Sequence, residues 1–181
     1  MKFGQRILTL IFFVFILFFL QKFSNSSINP PSPLPTQSQP GVQGVSSSAC
    51  HIQGVFPDPN CTPGVIDPNV TQENIFQTIC VAGYTKTVRP PVEYTNKLKI
   101  QQIQEYGYVD TDPRHYEEDH LISLELAGSP DSPSNLWPEP GSTPNPKDKI
   151  ENLCHQKVCS GQLSLAEAQK EIATNWQTAC Q

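Results

Sequence analysis

Residues 117–138 read EEDHLISLELAGSPDSPSNLWP, and this stretch decides the fold. Asp119 and His120 stand at the entry to an apolar run, Leu121 to Leu126. Ala127-Gly128-Ser129-Pro130 and Asp131-Ser132-Pro133-Ser134 follow as two clusters of turn residues. Asn135-Leu136-Trp137 then resumes an extended pattern. A hairpin is predicted, with Leu121–Leu126 and Asn135–Trp137 as its strands. The next helix carries strong start signals: Asn145 as N-cap, Pro146 at the first helical position and Asp148 at N3. Strand, loop, strand, helix over about 117–159 makes the fold class α+β: a small domain with a ββα core plus additional helices.

The spacing also carries chemistry. A helix packed across the hairpin would bring its polar face, with Asp148, Glu151 and His155, toward the Asp-His pair. Asp119 and His155 would then hold one divalent ion against a phosphate oxygen. His120 would stand opposite and take a proton from water, its second nitrogen fixed by a carboxylate or a backbone carbonyl. Asn135 would brace the loop by side-chain to backbone hydrogen bonds. One imidazole among hard oxygen ligands suits Mg²⁺ first, with Mn²⁺, Ca²⁺ and Zn²⁺ as alternatives.

The same residues resemble the His-Me finger, or HNH-type, ββα-metal endonucleases. That resemblance implies His120 as general base, Asp119 as metal ligand, Asn135 as structural asparagine and His155 as closing ligand. It implies a metal-dependent endonuclease that hydrolyses phosphodiester bonds in DNA or RNA. Flanking segments, Gly83 to Pro90 and Lys147 to Gly161, resemble small exported bacterial proteins carrying this core. The sequence departs from the family in reading Ala127-Gly128 where Gly-Gly is usual. It also lacks the cysteine pairs that bring zinc to many HNH domains. The distance from Asn135 to His155 leaves Glu151 and Asn152 as rival ligands.

Outward from this core, a helix is expected to begin at Thr71 and bury Ile75, Phe76 and Ile79. Tyr84 to Val88 reads as extended, halted by Pro90-Pro91, and a helix fits Thr95 to Tyr106. Ser164-Leu165-Ala166-Glu167 is a capping box opening a last helix to about Trp176. Trp137 and Trp176 read as core residues. Arg89 and Arg114 are candidate phosphate partners, or partners of the chain's own acids.

The chain of 181 residues holds more than this domain. Lys2 and Arg6 precede an apolar run over residues 8–20, so 1–23 reads as a signal peptide or an N-terminal membrane anchor. Residues 24–49 are rich in Pro and Ser and read as a disordered linker. The folded part is 50–181. It holds all six cysteines, and an even count behind an export signal predicts disulfides. Such a protein would be extracytoplasmic: secreted, periplasmic or anchored facing outward.

Net charge is −5, and setting aside Lys2, Arg6 and Lys22 leaves −8 on the rest. That excludes a passive nucleic-acid binder with a broad basic surface. It is compatible with a nuclease whose partner is a nucleic acid substrate. The rival is an inactive disulfide-stabilised binding module for an unidentified protein at the cell surface.

Overall fold

The computed structural model describes residues 50–141 and 143–181. The segments expected as signal or anchor and as linker lie outside the described residues. Among the described residues, no helix is long and apolar enough to cross a membrane.

A two-stranded antiparallel sheet packed among helices forms the domain. Strand β1 is Tyr116–His120 and β2 is Leu136–Pro140. Their register sets Glu118 opposite Pro138, Asp119 opposite Trp137 and His120 opposite Leu136. Four α-helices follow in chain order: α1 (Tyr84–Val88), α2 (Val92–Glu105), α3 (Pro146–Cys159) and α4 (Leu165–Asn175). The α+β architecture agrees broadly with a ββα core carrying extra helices.

Helix α2 packs on both strands. It is tied there by Gln102, whose amide donates to the carbonyls of Leu136 and Pro133, and by Lys99, which donates to the Tyr116 carbonyl. The main core gathers Ile75, Ile79, Ile122 and Leu126 with Val158 of α3 and Ala168 and Ile172 of α4. A smaller cluster joins Cys50, Tyr106 and Trp137. Trp176 is buried in the main core, so both tryptophans are core residues, as expected. All six cysteines pair, Cys50–Cys61, Cys80–Cys159 and Cys154–Cys180.

Caps read from the sequence are found where they were placed. Asn145 accepts from the backbone N–H groups of Lys147 and Asp148, and Asp148 accepts in return from that of Asn145. Ser164 and Glu167 form the second reciprocal box. Three extended or helical readings need correction. First, the chain from Leu121 to Leu126 is no strand. The strand lies one step earlier, and Leu124–Leu126 is a turn of 3₁₀ helix. Leu121, Ile122, Leu124 and Leu126 are all buried, and an apolar run in a buried turn has the composition of a buried strand.

Second, Tyr84–Val88 is helical; its threonines alternate by composition, but no partner strand lies beside them. Third, the helix expected from Thr71 is only a 3₁₀ turn, Ile75–Gln77, with Phe76 exposed. The Asn74 side chain accepts from Thr71 N–H and donates to the Asn69 carbonyl, a local alternative to helical hydrogen bonds. Helix α2 starts earlier than expected, directly after Pro91.

Candidate functional site

The loop that joins the two strands holds the His120 ring in the candidate site. Asn135 is completely buried and pins both sides of that loop. Its side-chain oxygen accepts from Ile122 N–H at 3.0 Å. Its amide donates to the Ile122 and Ser129 carbonyls, each at 3.0 Å. In effect the side chain is a one-residue strand partner, and it satisfies both backbone groups of Ile122. Ala127 takes a left-handed conformation, φ 57°. Next to it Gly128 lies against the Ile122 carbonyl, where a Cβ would come within 1.7 Å of the oxygen.

Pro130, in the same loop, accepts a hydrogen bond from Nε2 of His120 at 2.9 Å. A carbonyl only accepts, so Nε2 carries the proton and Nδ1 keeps its lone pair. Burial lowers the pKa of His120, and the nearby Arg89 and Lys147 cations lower it further. The imidazole is therefore neutral at neutral pH, with one fixed tautomer.

His120 lines a cleft of about 560 Å³ with Asp119, and six carboxylates in all reach its walls: Glu117, Glu118, Asp119, Glu125, Asp148 and Glu151. Arg89 lines it too and is exposed. Arg114 does not. It is exposed and spends its guanidinium on Asp112. Burial raises Glu118 to about 8, with the Asp119 charge adding to it, and neither oxygen of Glu118 has a hydrogen-bond partner. Burial and the same Asp119 charge raise Glu139 to about 8, although Asn145 donates to it.

These two glutamates set a pH dependence. In the fold they hold protons up to about pH 8, whereas an unfolded glutamate releases its proton near about 4.3. The folded state binds more protons between those values, so stability falls as pH rises through them. His120 has the opposite sign and acts lower. Kept neutral in the fold, it removes stability as pH falls below about 6.5, where an unfolded histidine is protonated. Between about pH 6.5 and 8 these glutamates act together with Glu151, which burial also raises, and all three carry the same sign. The melting temperature should fall across that interval, and Glu139→Gln should flatten the fall. A level or rising profile in the unaltered domain would contradict the assignment.

The expected metal pair, Asp119 with His155, is not made. His155 does not line the cleft; its Nε2 donates to the Ile79 carbonyl at 2.9 Å, beside Cys80. Glu151, Asn152 and Asp148 are the α3 residues that reach the cleft. His155 continues their stripe but stands one turn beyond Glu151, a rise of about 6 Å, and so meets the segment around Ile79 instead.

The residue that meets Asp119 is one the sequence reading did not single out. Lys147 is 1% exposed. Its ammonium donates to Asp119 Oδ2 at 2.8 Å, to the His120 carbonyl at 2.7 Å and to Glu151 Oε1 at 2.5 Å. An ammonium has three N–H donors, and all are used. Burial alone would lower the Lys147 pKa, but the charges of Asp119 and Glu151 raise it well above the ordinary value. The only sequence signal was the i, i+4 pair of Lys147 and Glu151, which on most helices marks a solvated face.

A divalent ion does not fit between Asp119 and α3 as these residues are arranged. The carboxylates that would bind it both hold the ammonium, and among the described residues no acidic or histidine grouping in the cleft converges on a single ion position. A different group of side chains has the spacing of a metal site: Cys80, His155 and Cys159 bring one ligand atom each within 4.8 Å of one another. Cys80 and Cys159 are bonded to each other in this state, and a disulfide sulfur is not the thiolate that metals bind. That triad joins the last turns of α3 to Cys80, in the segment before α1, and does not line the cleft. The small α+β domain, its disulfides and this triad are consistent with an HNH-like scaffold.

Comparison with protein family models, curated proteins and solved structures gives no match for this chain.

Proposed function

We propose that residues 50–181 are an exported phosphodiester hydrolase acting on nucleic acid, with His120 as the general base. The observation that carries this reading is the His120 imidazole. It is neutral, locked in one tautomer by the Pro130 carbonyl, and lines an open cleft beside an exposed arginine. Nδ1 would take the proton of the attacking water as that water adds to phosphorus and the bond from phosphorus to the leaving sugar oxygen breaks, the leaving oxygen taking its proton from solvent water, while Nε2–H stays on Pro130 and orients the ring. Arg89 would pair with a non-bridging phosphate oxygen. Asn135 acts through the loop, as a positioning residue for Pro130 and hence for His120. An extracytoplasmic location belongs to the same proposal. It is supported by the apolar N-terminal run and by three disulfides.

Cleavage of plasmid, single-stranded DNA and RNA by oxidised full-length protein tests it. His120→Ala should lower the rate about 10²- to 10⁴-fold, the range for losing a positioned base, in protein that circular dichroism shows to be folded at the assay temperature. Equal rates in the two proteins would remove His120 from the chemistry.

One observation favours a second reading, a binding module without hydrolysis. Glu117, Glu125 and Asp148 line the cleft without a bond to the Lys147 ammonium and face, among the described residues, the single Arg89, an excess of negative charge that repels a phosphate backbone and attracts a cationic ligand. Folded protein that binds a polylysine peptide and cleaves no nucleic acid would be such a module.

A further inference from the structure

We infer that the Lys147 ammonium is the cation of this site, standing where the nuclease resemblance puts a metal ion. The inference deepens the phosphodiesterase reading and rests on it for its catalytic consequence. Three oxygens converge on Nζ: a carboxylate from β1, a carboxylate from α3 and a backbone carbonyl of the base residue itself. Oxygen ligands from a strand and a helix, closing on one positive charge, are what a hard cation would require. The charge comes instead from the chain, delivered from the first turn of α3, where Asn145 and Pro146 fix the start of the helix.

Its burial makes the exchange of one cation for another costly. Lys147 is 1% exposed and Asp119 and Glu151 are 11% and 14% exposed in their side chains. A dication entering this locus would meet an ammonium at close range, and the repulsion is large in so dry a place. With all three donors spent, Lys147 has none left for a phosphate. It is therefore a positioning residue. It neutralises Asp119 and Glu151 beside a cleft that must accept an anion, and it holds the backbone of His120 in place through the carbonyl.

Two consequences follow: the site binds no divalent ion with Lys147 in place, and its hydrolysis needs none. The test uses the full-length oxidised protein. Its Lys147 NH₃⁺ group, shielded from water, is followed by ¹⁵N NMR while Mg²⁺ and then Ca²⁺ are added. Mn²⁺ binding is counted in parallel by electron paramagnetic resonance. The expected result is an unchanged Lys147 signal and no Mn²⁺ bound at the cleft in wild type. Lys147→Met should gain Mn²⁺ affinity by at least about tenfold over wild type, because two adjacent carboxylates have lost their counter-charge. That gain should disappear again on adding Glu151→Gln.

A Lys147 signal that shifts on ion addition, with Mn²⁺ bound in wild type and lost in Asp119→Asn, would overturn the assignment. The wild-type titration decides this whether or not the methionine variant folds. Wild-type cleavage that survives chelator supports the inference, and cleavage abolished by chelator contradicts it. Folded wild type that cleaves nothing would strike the phosphodiesterase reading alone, leaving the cation assignment to the titration.

Discussion

Gly128→Ala should leave the domain largely unfolded at room temperature. The added Cβ would sit 1.7 Å from the Ile122 oxygen, 2.6 Å from its carbonyl carbon and 2.7 Å from Asn135 Nδ2. None of these atoms belongs to a flexible side chain that can swing aside. The Ile122 carbonyl is held by Asn135, and Asn135 is held in turn by Ser129 and by Ile122 N–H. Relief requires the loop to open, and opening breaks three hydrogen bonds of one buried side chain. Leaving buried polar groups unpaired costs about 1–3 kcal/mol each. The sum approaches the whole of a small domain's stability, about 5–15 kcal/mol. Urea unfolding followed by tryptophan fluorescence would read the loss through buried Trp137, which neighbours Leu136 on β2. A variant within about 1 kcal/mol of wild type would mean that the close approach at Gly128 is not maintained in solution.

Lys147 gives the second large effect, and its sign depends on what is removed. Lys147→Met alone should destabilise the domain by about 3–5 kcal/mol, because Asp119 and Glu151 are left buried without their partner. Removing all three charges, as Lys147→Met with Asp119→Leu and Glu151→Leu, should recover most of that loss. Apolar residues of similar size avoid the desolvation that the ion group suffers. Paired thermal melts of the single and triple variants measure the difference. A triple variant no more stable than the single one would show that the three groups hold the helix by geometry that apolar packing cannot replace. The triple variant should nonetheless lose the cleft's function if His120 depends on its anchored carbonyl.

What the sequence disclosed divides by range. Asn145 and Ser164 were legible because a cap and its partner lie three residues apart, and the chemistry is complete within one turn. Asn135 was legible as a loop brace for a similar reason, although its partners, Ile122 and Ser129, were not. The strand boundary at His120 was lost because four apolar residues that follow it are buried in a turn, where burial removes the alternation that marks strands. His155 was placed at the site and Lys147 was passed over for one reason. Spacing gives the polar stripe of α3, but only the position of the helix along its axis decides which turn meets Asp119. The first turn does, and it presents Lys147 rather than a histidine. A lysine buried by its tertiary surroundings has no local signature. Ala127 is a smaller case: the usual glycine pair splits into a left-handed position, which alanine occupies here at some cost, and a close approach, which still requires glycine.

Two of the three disulfides end on one helix. Cys154 is tied to Cys180 near the C-terminus, and Cys159 to Cys80 in the segment before α1. Their closed loops span 26 and 79 residues in separation. The covalent ties therefore outlast the hydrogen bonds. When the oxidised chain loses its fold, the last turns of α3 remain a junction from which three stretches of backbone depart. The unfolded ensemble is small and branched rather than linear, and loop closure of this kind withdraws about 3–5 kcal/mol of entropy from it per long crosslink. Thermodynamically, the helix that carries Lys147 never becomes an independent segment. Cys80 and Cys180 stay tied to it by covalent topology, and the stretch that carries Asp119 stays closed into a loop on the same helix.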